Sequence, residues 1–349
     1  MKIAIDCRML GTGGIGTYFE SLLPYFLNDF ECLLFGNKTQ IMQCIKNQNH
    51  KIVILDCSVP CFSPKEFIGF PKSLLQKINE CNYYYTPYCN IPNGIKIPVF
   101  STIHDVVFLD IPGLTSKAGV FIRKYFYQRA INKSQKIYTV SNFSAQRIKA
   151  NLNLKNKEIK VTYNSVPEWF INVKTKKVKK EDSILFVGNI KKHKGLRTLL
   201  NAFEILNKTK PELKLIIVGN ADNFRTGDNE IPSLIEKFPK DKIQFTGKIS
   251  NEELKQYYQT CKLLVQPSLY EGFGMPPLEA LTSGTNVVIS DIPVFKEIYK
   301  NLPVTFFECE NAKDLAQKIE KSLTLKQPQI TSNIYSFQKT YSIIKEDLK

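Results

Sequence analysis

Ten short apolar runs, each followed by a helix-like segment, constrain this chain more than any other feature. They are "KIAID", "ECLLFG", "KIVILD", "VFSTIHD" and "KIYTVS" in the first half, then "SILFVGN", "LKLIIVGN", "IQFTG", "LLVQPS" and "NVVISD". Runs rich in Val, Ile and Leu read as strands buried on both faces, and helical spacers of this length favour parallel crossovers. The runs fall into two sets of five, separated near residues 172–182 by a lysine-rich stretch without periodicity. That pattern predicts an α/β chain of two Rossmann-like, doubly wound domains facing a central cleft. The expected boundaries are 1–171, a linker at 172–182, a second domain at 183–326, and a terminal segment at 327–349 that returns to the first domain. At 349 residues the chain is long for one domain and comfortable for two.

The first strand leads into "MLGTGGIGTY", where Gly11, Gly13 and Gly16 stand in the G-x-G-x-x-G spacing of dinucleotide sites. Two checks count against a nicotinamide site. Cys7 to Leu10 separate the strand from Gly11, and the second strand ends in Gly36-Asn37 with no carboxylate for a ribose. The loop still suits an anion, because glycines leave backbone N–H groups unshielded ahead of a helix. A tight turn without a ligand is an equal reading of these residues alone.

Forty-eight Lys and Arg against 32 Asp and Glu give a net charge of +16, so anions are the expected partners. No nucleic-acid-binding signature accompanies the charge. The run Lys174, Lys176, Lys177, Lys179 and Lys180 reads as a solvated linker. The segment 116–136 mixes aromatics with Arg123, Lys124, Arg129 and Lys133. It reads either as a helix with Phe121, Ile122, Phe126 and Ala130 packed inward and its basic face in water, or as a contact for an anionic inner-membrane surface. No apolar run is long enough to span a bilayer, and no signal-peptide pattern is present, which predicts a cytoplasmic protein, peripheral on the membrane at most. Nine cysteines in odd number, without C-x-x-C pairs, indicate neither a disulfide framework nor a zinc site.

The densest motif is "VQPSLYEGFGMPPLEALTSG". A strand ends near Pro267 or Ser268, a loop carries Gly272 and Gly274, and Pro276-Pro277 opens a helix bearing Glu279. Ligands of open α/β sheets bind beyond the carboxyl ends of the strands, where the amides of 273–277 would point. Glu271 and Glu279, eight positions apart, could both reach such a ligand. Either glutamate taken singly is a helix-start acid, and His104-Asp105 taken alone is a strand-end histidine with a polar neighbour.

The Glu, seven residues, Glu spacing within E-G-F-G-x-P-x-x-E-A resembles the signature of family 4 retaining glycosyltransferases of the GT-B fold. Four stretches in the family's order support the resemblance: "IDCRMLGTGGIGTY", "STIHDVVFLDIP", "YTVSNFSAQRI" and "FVGNIKKHKGLRTLLNAF". It implies that Glu271 binds hydroxyls of the transferred sugar and Glu279 the ribose of the nucleotide. Lys194 would contact the diphosphate, with Gly14, Gly16, Asn189, Phe273, Gly274 and Met275 also at the donor and His104 beside the sugar. On this reading Glu271, His104 and Lys194 are the catalytic set, and Tyr84, Tyr88 and Asp105 face the acceptor. Asn189 and His193 depart from the Arg or Thr and the Arg usual in relatives, which shifts weight onto Lys194 and onto Lys191, Lys192 or Arg197. Thr285-Asn286 departs at a turn.

The resemblance further implies retention by front-face attack, with no cofactor beyond the co-substrate. The absence of D-x-D agrees with a transferase needing no metal. GDP-mannose is the first choice of donor, because the pattern resembles bacterial polysaccharide mannosyltransferases; UDP-hexose and dTDP-rhamnose are alternatives. The acceptor would be a glycan or lipid-linked oligosaccharide. Two other readings compete: a glycosidase using Glu271 and Glu279 as its acid pair, and a non-catalytic basic protein bound to membrane or nucleic acid.

Overall fold

The computed structural model describes residues 1–45, 51–171, 178–219, 230–328 and 334–348. It divides into two compact units, the first made of Met1–Pro112, Ser116–Pro167 and Tyr335–Lys349, the second of Gly113–Thr115 and Glu168–Ile334. The chain thus passes to the second unit at Pro167/Glu168. Residues 172–177, with Lys174, Lys176 and Lys177 of the expected linker, lie outside the described residues.

Among the described residues there are thirteen strands in two sheets. In the first unit they are β1 (Lys2–Asp6), β2 (Glu31–Gly36), β3 (Ile52–Asp56), β4 (Tyr83–Thr86), β5 (Val99–Thr102), β6 (Ser134–Thr139) and β7 (Ile159–Val161). In the second they are β8 (Glu181–Val187), β9 (Lys214–Val218), β10 (Ile243–Gly247), β11 (Cys261–Gln266), β12 (Asn286–Ser290) and β13 (Thr305–Phe307). The sheet orders are β3-β2-β1-β4-β5-β6-β7 and β10-β9-β8-β11-β12-β13, with parallel pairing throughout. Each is a doubly wound sheet whose strand order reverses once, between β1 and β4 and between β8 and β11.

The ten apolar runs all become strands, and β4, β7 and β13 are added to them. These three are only three or four residues long, too short for a period to show, and "YYYT" hides its strand in aromatics. Burial explains the composition of the central strands: in β1 residues Ile3, Ala4 and Ile5 are inaccessible, as are Leu263, Leu264 and Val265 of β11.

The helix Gly13–Asp29 seats Tyr18, Phe19, Leu22, Leu23, Phe26 and Leu27 in the first unit. The terminal helix Phe337–Asp347 packs against it: Tyr341 stacks on Tyr25 with ring centroids 5.4 Å apart and donates its hydroxyl to Asp29 Oδ2 at 2.6 Å. At its far end Asp347 accepts from Lys160 Nζ at 2.7 Å and from the Tyr138 hydroxyl at 3.0 Å. In the second unit the helix Leu196–Asn207 buries Leu199, Leu200, Phe203 and Leu206 in a core shared with Leu315 and Ile319 of the helix Ala312–Ser322.

Lys180 corrects the linker reading. It is half-buried, its Nζ donating to Thr285 Oγ1 at 2.6 Å and the Tyr258 carbonyl at 3.3 Å, and burial pushes its pKa down to about 8.

Candidate functional site

The loops that leave β8 and β11 at their carboxyl ends meet in the second unit, at the point where the strand order reverses. Gly195, in the left-handed region at φ 69°, lets them touch. A Cβ there would stand 1.9 Å from the Pro267 carbonyl oxygen, so no side chain fits. The Leu269 amide then donates to the His193 carbonyl at 2.8 Å, binding the two loops together. Lys194 and Glu271 are thereby set face to face, with Lys194 Nζ donating to both carboxylate oxygens at 2.8 Å.

Two residues without a role in the sequence reading support Glu271 from β11. The Ser268 hydroxyl donates to Glu271 Oε1 at 2.8 Å, and Gln266 Nε2 donates to Ser268 Oγ at 3.0 Å. Both side chains are inaccessible to solvent. Their position at the end of a buried strand, directly before the Glu loop, was the signal that could have singled them out. The network fixes the carboxylate in place, and two acceptor oxygens of fixed direction suit a vicinal diol.

Gly274 caps the next helix, Met275–Thr282, at φ 80°, and a Cβ on it would stand 2.5 Å from the Phe295 ring. Tyr299 donates its hydroxyl to the Gly274 carbonyl, pinning the turn. Pro276 and Pro277 carry no N–H, which narrows the expected donors of 273–277 to the amides of Phe273, Gly274 and Met275. Phe273 is buried, Met275 half-buried and Asn189, beyond β8, exposed.

Glu279 is the fifth residue of its helix, one turn deeper than a helix-start acid. Its carboxylate is buried and accepts from the Tyr258 hydroxyl at 2.7 Å. Burial raises its pKa to about 7, an effect the Tyr258 bond only partly opposes. Thr285 accepts from Lys180 and donates its own hydroxyl to the Tyr258 carbonyl. The departure at Thr285 therefore holds the residue that touches Glu279, a role beyond its turn. His193 is buried too. Its pKa falls to about 4, mainly through burial and then through the charge of Lys194, and its Nδ1 has no hydrogen-bond partner.

The first unit corrects several expectations. The helix starts at Gly13, so Gly13, Gly14 and Gly16 form its first turn and only Gly11 precedes it. Gly16 is buried, donates its amide to the Thr12 carbonyl at 3.2 Å, and would drive a Cβ to 2.9 Å from the Met9 carbonyl oxygen. It serves packing and offers no donor to a ligand. Gly14 is exposed.

Tyr84 is fully inaccessible and gives its hydroxyl to Asp6 Oδ2 at 3.1 Å, which removes it as a residue facing the acceptor. Tyr88 is half-buried, its ring packed edge-on against Phe62 at 5.3 Å. His104 is buried against Tyr18, ring centroids 4.8 Å apart, with Nε2 2.9 Å from the Pro87 carbonyl. A carbonyl can only accept, so Nε2 carries the proton, and burial holds the pKa near 4 with the ring neutral. Asp105 accepts from the Val107 amide at 3.0 Å, turning the chain into the helix Val107–Asp110.

Where the strand order reverses in this unit, Arg8 pairs with Asp6 at 2.6 Å and Glu66 at 2.8 Å, all three side chains buried. Asn90 Nδ2 and the Phe62 amide donate to the remaining Glu66 oxygen at 2.7 and 2.8 Å. Burial works against the Arg8 charge, yet Asp6 outweighs it and holds the guanidinium above its usual pKa.

Strand order, glycine turns and the Lys-Glu pair together define the GT-B fold, with a candidate anion and sugar site in the second unit. The solved structure of Anabaena HepE in complex with UDP and glucose shares the fold at a TM-score of 0.75 and 16% identity, covering 100% of this chain and 99% of that one. Residues 167–336 match the family model for glycosyl transferases group 1. The chain is 32% identical over 205 residues to the O-antigen chain mannosyltransferase RfbU of Salmonella typhimurium, covering 57% of this chain and 54% of that protein. It is 26% identical over 227 residues to the O-antigen chain mannosyltransferase B of Escherichia coli, covering 62% and 58%. The matches thus span just over half the length of these curated relatives. The resemblance to family 4 glycosyltransferases and to bacterial polysaccharide mannosyltransferases read from the motifs holds.

Proposed function

We propose that the protein is a retaining, metal-independent glycosyltransferase of cell-surface polysaccharide synthesis. It transfers mannose from GDP-mannose to a glycan or lipid-linked saccharide. The observation that carries this reading is the Lys194–Glu271 pair, half-buried where the loops after β8 and β11 meet. In the apo protein Lys194 occupies the carboxylate. When donor enters, its ammonium turns to the diphosphate and stabilises the charge on the departing nucleotide, leaving Glu271 to accept hydroxyls of the sugar. Amides at Gly274 and Met275 add donors at a helix start, and Glu279, buried and poised near neutrality, accepts from the ribose. The acceptor hydroxyl attacks from the face the nucleotide leaves and passes its proton to the departing phosphate oxygen. The mannose assignment leans on the two O-antigen mannosyltransferases among the relatives.

A UDP-hexose donor is the second reading, favoured by the UDP and glucose in complex with HepE. The same proposal keeps the protein in the cytoplasm, with an anionic membrane surface as partner where the acceptor is lipid-linked. The test is a thermal-shift and donor-hydrolysis screen of GDP-, UDP- and dTDP-sugars, with and without EDTA, on wild type and Glu271→Ala. Stabilisation by GDP-mannose, unaffected by EDTA, with hydrolysis lost in the variant, supports the proposal. Silence toward every nucleotide sugar, with salt-sensitive binding to lipid or nucleic acid, sinks it.

A further inference from the structure

The helix Lys117–Lys133 is built the opposite way round from an ordinary surface helix. Phe126 and Ala130 pack inward as the sequence suggests, but Phe121 is 73% exposed, Ile122 51% and Tyr125 54%. The arginines turn in instead. Arg123 lies 3.9 Å over the Phe108 ring, and Arg129 is buried, donating to the Ile91 carbonyl and, at 2.7 Å, to Asn93 Oδ1. The inward reading of Phe121 and Ile122 is therefore wrong, and their exposure needs a cause, because contiguous large apolar side chains in water mark contact surfaces.

The apolar ridge extends beyond the helix. Phe67 sits 6.1 Å from the Tyr125 ring and 5.2 Å from Phe126, and the next residue, Ile68, is 90% exposed. Lys65, Lys117, Lys124 and Lys133 are exposed around it. The helix Lys117–Lys133 has no acidic residue, and the single acid of the helix Lys65–Ile68, Glu66, is buried against Arg8. From Tyr125 the same helical face continues at intervals of three and four through Gln128, Arg129, Asn132 and Lys133. With Asn93 these line a depression of about 420 Å³. Gln128 Nε2 is spent on Asn132 Oδ1 and the Asn153 carbonyl and Asn93 Nδ2 on the Phe67 carbonyl, so the donors there come from Arg129, Lys133 and the Asn132 amide.

The geometry points to a docking surface for an anionic phospholipid membrane on the first unit, the ridge of Ile68, Phe121, Ile122 and Tyr125 entering the acyl boundary and the adjoining depression holding a lipid phosphate headgroup. This refines the membrane partner of the proposed function and rests on that reading only for its purpose. A second copy of the chain is disfavoured as occupant, because it would bring one lysine-rimmed face against another. Apolar insertion and attraction of lysines to anionic lipid act together in interfacial binding, neither sufficing alone.

The experiment is co-sedimentation of the full chain with phosphatidylcholine vesicles and with vesicles containing phosphatidylglycerol, read without donor or turnover. Its failure therefore leaves the donor assignment standing. Wild type is expected to bind only the anionic vesicles. The exposed double variants Phe121→Ser/Ile122→Ser and Lys124→Glu/Lys133→Glu should each weaken binding on the order of tenfold, the wild-type affinity falling as salt rises. Unchanged binding by both variants, or no binding by wild type at low salt, overturns the proposal. So does inorganic phosphate stabilising the protein through the depression while vesicles do not. A dimer abolished by Phe121→Ser/Ile122→Ser, with vesicle binding intact, would also overturn it by making the ridge a protein interface.

Discussion

The two sheets reverse strand order at equivalent places, and the two crevices beside those points are used in opposite ways. Beside β1 and β4 the place is filled from within: the Arg8 side chain is 3% exposed, clasped by Asp6 and Glu66. Beside β8 and β11 the Lys194 side chain keeps 21% of its surface and faces a single carboxylate. Topology alone marks both as ligand sites. The side chains decide which one is free to exchange partners, since a cation already held by two buried acids has little left for a phosphate.

Breaking the first crevice should have the largest effect. Arg8→Ala leaves two buried carboxylates unpaired and should cost about 3–5 kcal/mol of stability, measured by urea unfolding. A loss near zero would mean that this crevice is as adaptable as the other. Glu271→Ala tests the converse. Stability should fall by about 1–3 kcal/mol, the cost of leaving the buried Ser268 hydroxyl without its acceptor, while kcat/KM for transfer falls about a hundredfold or more; a loss as large as that of Arg8→Ala would make the Lys-Glu pair structural.

A pH titration of stability sharpens the contrast between units, because the first buries the neutral His104 while the second buries His193 in the same way and adds the protonated Glu279. His104 binds its proton less readily folded, near 4, than at its ordinary 6.5, so it adds a rise in stability as pH climbs through that window. Glu279 holds its proton more tightly folded, near 7, than at its ordinary 4.5, so it adds a fall between those values. Melting curves of His104→Phe should lose about half of the rise, the remainder belonging to His193 of the second unit, and those of Glu279→Gln should lose the fall, each relative to wild type. The smallest effect is expected of Tyr258→Phe, which removes one hydrogen bond to Glu279. Donor KM should rise about fivefold with kcat held, an amount near 1 kcal/mol, and the shift should be absent in a Glu279→Gln background.

Much of this arrangement was legible in the residues. Period and composition sufficed for ten of the thirteen strands, most directly for the central ones, because a strand buried on both faces must be apolar along its length. The Lys194 and Glu271 motifs were legible because glycine and proline punctuate the loops that present them. What escaped depends on partners distant in sequence. Tyr84 looks like an acceptor contact until Asp6, 78 positions away, takes its hydroxyl. The helix Lys117–Lys133 has the composition of a basic helix, and the rings of Phe62, Phe67 and Phe108, with the Ile91 carbonyl and Asn93, turn its arginines inward. Gly195 drew no notice because its constraint comes from Pro267, in the loop after β11 and distant in sequence.

The helix Phe337–Asp347 belongs to the unit that contains β1. During synthesis the first sheet leaves the ribosome early, but Asp29, Tyr138 and Lys160 wait for Tyr341 and Asp347 until the whole second unit has been translated. The first unit is closed only after the second has been made, so a ribosome that stalls between Ile334 and Tyr341 holds a chain whose Asp29, Tyr138 and Lys160 still lack their partners from this helix.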